Sequence, residues 1–220
     1  MTTPRSVSVS VFIGQVQALA ESGRLTGMYK SAVQTPIALG MNGLAGDEQA
    51  DKRVHGGPDK AVHLYPTRHY ARLAAQFPDA ALLMQPGSMG ENMATPDLDE
   101  HDVRLGEVWQ LGTALIQVCQ PRNPCWKIDE RFGVEGMALF IDQHLLTGWY
   151  WRVLQTGVVN PADTLVLHEA ASDALTLHQA MTLWRAHRPD LDALSKLAET
   201  AGIAKAWQDK IKQRVSYLMK

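Results

Sequence analysis

The stretch that most constrains this chain is Gln120-Pro121-Arg122-Asn123-Pro124-Cys125-Trp126-Lys127, placed directly after a strongly β-prone run from Ala114 to Cys119. Proline fixes φ and brings no N–H to a ladder, so Pro121 and Pro124 force the chain out of a sheet as a rigid turn. Cys125 is therefore expected at the mouth of a sheet, with its sulfur held still. Arg122 and Lys127 favour thiolate over thiol and can receive an anion, which makes Cys125 a candidate soft-metal ligand or nucleophile. An isolated cysteine is by default buried and inert. The rigid basic loop overturns that default here.

The rest of the chain reads as many short strands. Val7, Val9, Val11 and Ile13 fall on one side at period two, which predicts a strand from Val7 to Ala20. A second extended stretch runs from Val33 to Met41, and Asn42-Gly43 signals a tight turn. Ala61 to Tyr65 reads as a short strand, with a helix after it from Pro66 to about Phe77. Pro86 to Pro96 reads as a loop carrying Gly90-Glu91-Asn92. Val108 to Leu111 and Ala114 to Cys119 form a hairpin across Gly112-Thr113. Short helices come next at Trp126 to Phe132 and Gly136 to Leu145, then strands at Trp149 to Leu154 and Thr164 to Leu167. This pattern predicts a mainly β fold with some α, an irregular β-barrel over residues 1–168, rather than an alternating βαβ sheet.

Past His168 the β-branched residues give way to helix formers. Thr176 with Gln179 makes a capping-box pair before Leu177, Ala180, Met181 and Trp184. Leu191, Leu194 and Leu197 mark a second helix, and Ile203, Trp207, Ile211 and Val215 a third. A small three-helix domain is expected over residues 174–220.

With 21 basic and 23 acidic residues, the net charge of -2 gives no electrostatic reason to bind a nucleic-acid polymer. No run is long and apolar enough to span a bilayer, and the alternating start is unlike a signal peptide. A cytoplasmic location is expected. The two cysteines, Cys119 and Cys125, do not make a disulfide framework in a chain of 220 residues.

Other constellations are weaker when taken singly. His55-Gly56-Gly57-Pro58-Asp59-Lys60 is a loop whose glycines let backbone N–H groups approach a phosphate and whose lysine adds a point charge, but it lacks P-loop spacing. Gly40, Gly43 and Gly46 lack the dinucleotide spacing. His55, His63 and His69 with Cys125 could be assembled into a zinc site, although no zinc-binding spacing supports it. A Cys-His nucleophilic pair lacks an oxyanion-hole motif beside Cys125. Asn92 offers an amide edge able to read a heterocycle. Trp126, Trp149, Tyr150 and Trp151 could wall an apolar pocket, but most buried tryptophans are simply core.

Taken together, Gly43-Leu44-Ala45-Gly46-Asp47, His55-Gly56-Gly57-Pro58-Asp59-Lys60-Ala61-Val62, Gly90-Glu91-Asn92 and the Cys125 stretch resemble the MOSC domain family. Their order is similar to that of bacterial YiiM-type members, which append a three-helix domain. The resemblance implies a β-barrel that binds the molybdenum cofactor, a pterin dithiolene with a terminal phosphate. It implies that Cys125 ligates molybdenum and that Arg122, Lys60 and Lys127 meet the phosphate or pterin. His55, Gly56, Gly57, His63 and Asn92 would line the site, with His63 joining Cys125 in catalysis. The implied reaction is reduction of N-hydroxylated bases, such as 6-N-hydroxylaminopurine, to the amine, which removes mutagenic analogues. Because the chain lacks a dinucleotide fingerprint and an iron–sulfur cysteine set, a separate flavin- or iron–sulfur-type reductase is the implied electron donor. The alternative is a non-catalytic carrier of the cofactor or of sulfur. Dimerisation, partner docking and pocket closure all stand open as roles for the three helices, a homodimer being one assembly to look for.

Overall fold

At the N-terminus the period-two pattern is realised, with Val7, Val9 and Val11 buried while Ser6, Ser8 and Ser10 are exposed. The structure is a computed structural model that describes residues 5–51 and 56–220. Along the chain its strands are β1 (Ser6–Ser8), β2 (Ser10–Ile13), β3 (Gln17–Ala18), β4 (Leu25–Thr26), β5 (Ser31–Ala32), β6 (Ile37–Gly40), β7 (Gly43–Leu44), β8 (Val62–Pro66), β9 (Met93–Thr95), β10 (Val108–Leu111), β11 (Ala114–Pro121), β12 (Trp149–Gln155), β13 (Gly157–Val159) and β14 (Thr164–Glu169). Its helices are α1 (Arg68–Gln76), α2 (Lys127–Phe132), α3 (Met137–Gln143), α4 (Leu177–Arg185), α5 (Leu191–Ala198) and α6 (Lys205–Leu218).

The single strand expected from Val7 to Ala20 is thus three, and the break at Val9 has a topological cause. β1 pairs with β14 and β2 with β9, on opposite flanks of a nine-stranded sheet ordered β1-β14-β10-β11-β12-β8-β9-β2-β5. The two flanks are consecutive pieces of one chain, so the sheet must curl until they come into line. Among the described residues the ladder nevertheless keeps two free ends. The fold is mixed α/β around a curled sheet, and among the described residues no ladder closes the expected barrel. β9 is a second correction, because the stretch read as loop contains a buried strand parallel to β8, with Leu64 opposite Met93.

Local signals elsewhere are met where the chemistry is local. β10 and β11 pair from Val108↔Gln117 to Leu111↔Ala114 across Gly112-Thr113, and β6 and β7 pair Gly40↔Gly43 across Met41-Asn42. The Thr176 hydroxyl accepts from Gln179 N and the Gln179 side chain accepts from Thr176 N, closing the capping box of α4. α4, α5 and α6 bury Leu177, Leu194, Leu197, Trp207 and Ile211 in the same cluster as Trp109, Ile116 and Val153 of the sheet. The start of α6 is tied to the sheet by Ala204 N donating to Cys119 O at 2.9 Å. Among the described residues no helix is long and apolar enough to cross a membrane.

Candidate functional site

Four neighbouring strands, β11, β12, β8 and β9, bring the chemistry to one rim. Gln120 pairs with Tyr150 and Tyr150 with His63, while Asn92 N donates to His63 O at 2.8 Å. A register shift between Val118 and Gln120 leaves Cys119 out of the ladder, and such a bulge bends the strand and re-aims the residues beyond it. Arg122 then turns inward: its N–H donates to Gly148 O at 3.1 Å and the residue is buried. Gly148 has φ +64, and a Cβ there would lie 2.3 Å from Leu64 O and 3.1 Å from His63 Nε2, so glycine keeps the floor open beside the imidazole.

The rim encloses a cleft of about 80 Å³, lined by Lys60, His63, Asn92, Arg122, Cys125 and Lys127 among others. Six of the residues singled out in the sequence therefore converge on one cavity. Gly56 and Gly57 do not line it; Gly57, at φ +96, caps the short 3-10 turn Pro58–Lys60 that presents Lys60. His55 lies outside the described residues.

Cys125 is partly exposed, and its carbonyl accepts from Ile128 N at 2.9 Å, so the turn after Pro124 runs directly into α2. Lys127 Nζ donates to Leu25 O at 2.7 Å, which ties the loop to the opposite lip. Arg122 Nη1 and His63 Nε2 are buried without a hydrogen-bond partner. Burial, reinforced by the charges of Arg122 and Lys30, holds the His63 imidazole well below its usual range and so neutral. Buried polar atoms are nearly always paired, and leaving a guanidinium unsatisfied is costly. Two such atoms at one cleft describe a site shaped for a ligand, and the guanidinium favours an anion.

Asn92 is committed to the protein. Its Nδ2 donates to Asp47 Oδ2 at 2.9 Å and Phe12 O at 3.3 Å, and its Oδ1 accepts from His63 N at 3.2 Å. The amide edge expected to read a heterocycle instead braces the cleft wall. Sequence reasoning missed Lys30, whose ammonium forms a buried ion pair with Asp47 at the same cleft. Burial lowers the Lys30 pKa and Asp47 opposes that shift. Nothing near Lys30 in the chain signals this, since Asp47 reaches it only through the fold. Tyr150, one of the aromatics that could wall a pocket, lies with its ring tilted 5.3 Å from His63, and its hydroxyl meets Arg122.

Among the described residues no group of three or more His, Cys, Asp or Glu is placed to hold a metal ion. His69 pairs with Glu100 at 2.7 Å and is not part of the cleft. Cys119 is buried, its thiol 3.0 Å from Asp59 O, and burial pushes its pKa far up. Both cysteines are free.

A model of the MOSC domain matches residues 51–166, a span that contains all of the converging residues from Lys60 to Lys127. Protein YiiM of Escherichia coli (strain K12) is 37% identical over 207 residues, covering 94% of this chain and 91% of that protein. The crystal structure of YiiM from Escherichia coli superposes with a TM-score of 0.82 at 30% identity over the superposed chains, covering 97% of this chain and 94% of that one. A protein named Reductase from Gibberella moniliformis (strain M3125 / FGSC 7600) is 30% identical over 200 residues, 90% of this chain but 36% of that protein. Sequence and superposition agree along nearly the full length, and the chain belongs to the MOSC domain family.

Proposed function

We propose that this protein reduces N-hydroxylated compounds, 6-N-hydroxylaminopurine among them, to their amines with a molybdenum cofactor held at Cys125. One observation carries the reading: a partly exposed thiol opens onto a cleft in which a buried guanidinium nitrogen and a buried imidazole nitrogen lack partners. The donor set fits that cofactor. A thiolate is a soft ligand suited to a metal already held by sulfur, and Arg122, Lys60 and Lys127 supply the donors an anionic pterin phosphate needs. When bound, the cofactor supplies a redox metal that exchanges two electrons with the substrate.

The chain's own residues do the rest. Cys125 would hold the metal from a turn that two prolines and the start of α2 make rigid. Arg122 and Lys60 hold the anionic part, and the Asp47–Asn92–His63 hydrogen bonds fix the wall. His63, neutral, can hold or pass a proton at Nε2. The net reaction consumes the hydroxylamine, two electrons and two protons and yields the amine and water, the electrons coming from a separate reductase.

The test is protein made in cofactor-competent cells, assayed for molybdenum and for turnover of 6-N-hydroxylaminopurine with a strong chemical reductant. Stoichiometric molybdenum with amine formation is the expected result. Molybdenum without turnover, accompanied by a persulfide on Cys125, identifies a carrier instead, and stoichiometric zinc without molybdenum ends the reading.

A further inference from the structure

A second cleft, of about 350 Å³, shares Lys60, Cys125 and Tyr150 with the first and is otherwise walled by different residues. One wall is Trp126 of the cysteine loop; another is α6, which contributes Trp207 and Lys210. Asp47 and Glu48 line the first cleft, whereas among the described residues no carboxylate lines the second. Its charged groups are Lys60 and Lys210, and burial together with the Lys210 charge lowers the Lys60 pKa. Trp126 remains 47% exposed, with the Arg24 guanidinium 4.8 Å from its ring centroid.

The two lysines are held in place relative to each other. Asp59, next to Lys60, accepts from Arg152 Nη2 at 2.6 Å and from Lys205 N at 3.2 Å, at the first residue of α6. Ala204 N donates to Cys119 O, so the start of α6 is bonded to the strand that leads into the cysteine loop. A cleft that is aromatic on its walls, cationic at two points and free of carboxylates suits a flat ring carrying an anionic tail.

We propose that this second cleft is the substrate site and that its substrate is a nucleotide, an N-hydroxylated heteroaromatic base bearing a phosphomonoester, rather than a free base. The ring lies against Trp126 with its hydroxylamino group toward Cys125, and Lys210 holds the phosphate, while Lys60, which lines both clefts, serves the cofactor. The three-helix segment thereby supplies part of the substrate site. The N-hydroxyl group in this assignment rests on the reductase reading above; the nucleotide rests on the cleft itself.

The experiment uses the full chain free of molybdenum, titrated separately with adenosine 5′-monophosphate, adenine and inorganic phosphate, and monitored by tryptophan fluorescence and calorimetry. The mononucleotide should bind about tenfold or more tighter than either fragment. Lys210→Glu should weaken the mononucleotide by about tenfold and leave adenine unchanged, while Trp126→Ala should weaken both. Lys210→Ala, with a melting curve, separates loss of charge from any disturbance of α6. Equal affinity for mononucleotide and adenine overturns the proposal. So does phosphate binding as tightly as the mononucleotide, or mononucleotide binding indifferent to Lys210, which would place the anion in the first cleft. Molybdenum content, measured separately on cofactor-loaded protein, tests the reductase reading without reference to these affinities.

Discussion

Cys119 and Cys125 sit either side of two prolines, and each has an arginine nearby, yet the two neighbourhoods differ in every respect that governs chemistry. Cys119 is a bulge residue with 0% exposure, its thiol against the carbonyls of Asp59 and Tyr150, and its neighbour Arg152 is fully engaged with Asp59, Gln117 and Ile203. Cys125 is partly exposed at the junction of two clefts, and Arg122 beside it keeps a buried nitrogen without a partner. A satisfied buried group serves stability; an unsatisfied one at the wall of a cleft represents stability forgone that a ligand can restore. Chain proximity therefore says little about role, whereas hydrogen-bond completeness says a great deal.

The comparison breaks most sharply under Cys125→Ser. Replacing a soft thiolate by a hydroxyl should abolish hydroxylamine reduction, by about a thousandfold or more, with the melting temperature unchanged. Full activity in the serine variant would remove Cys125 from the mechanism. Arg122→Ala comes next: cofactor retention, read as molybdenum per chain after gel filtration, should fall by about ten- to a hundredfold. Because the guanidinium is buried and only partly satisfied, apo stability should hold or rise, and a marked loss of stability would make Arg122 structural after all.

Arg152→Ala should show the inverse pattern. Loss of the Asp59 pairing should cost about 1–3 kcal/mol in denaturant unfolding and leave Asp59 less able to hold the start of α6, while molybdenum content is retained. The smallest effect belongs to Cys119→Ala, at about 1 kcal/mol, with turnover within about twofold of the parent protein. Its signature lies in alkali. Burial raises the folded thiol pKa well above the unfolded value of about 8.5, so the stability this group contributes is complete below that pH and is lost as pH rises beyond it. The alanine variant should therefore show a flatter alkaline limb, and an unaltered limb would mean that Cys119 does not titrate as its surroundings require.

Much of the secondary structure was legible because its causes are local. The β10–β11 hairpin arises from Gly112-Thr113 between β-prone runs, and the start of α4 from Thr176 and Gln179. β9 was not legible: its three residues sit among glycines and prolines, and only pairing with β8 and β2 makes them a strand. The division at Val9 was hidden for the same reason, since alternation continues through it while the hydrogen-bond partners change. At the site, Cys125, Arg122 and Lys60 announced themselves through prolines, glycines and charge. Lys30 did not, because nothing in its own neighbourhood marks it and its partner Asp47 reaches it only through the fold.

By itself the sequence determined where the chain must turn, which faces are apolar, where its helices are capped, and that one thiol stands on a rigid basic loop, since φ restriction, capping and period-two burial act between near neighbours. Only the tertiary structure decided that the sheet curls until β1 and β2 come into line, that Asn92 is spent on bracing, that Lys30 is buried against Asp47, and that α6 helps to wall a second cleft at Cys125. Those outcomes depend on which distant groups meet once water is excluded, and burial, pairing and pKa all result from that meeting.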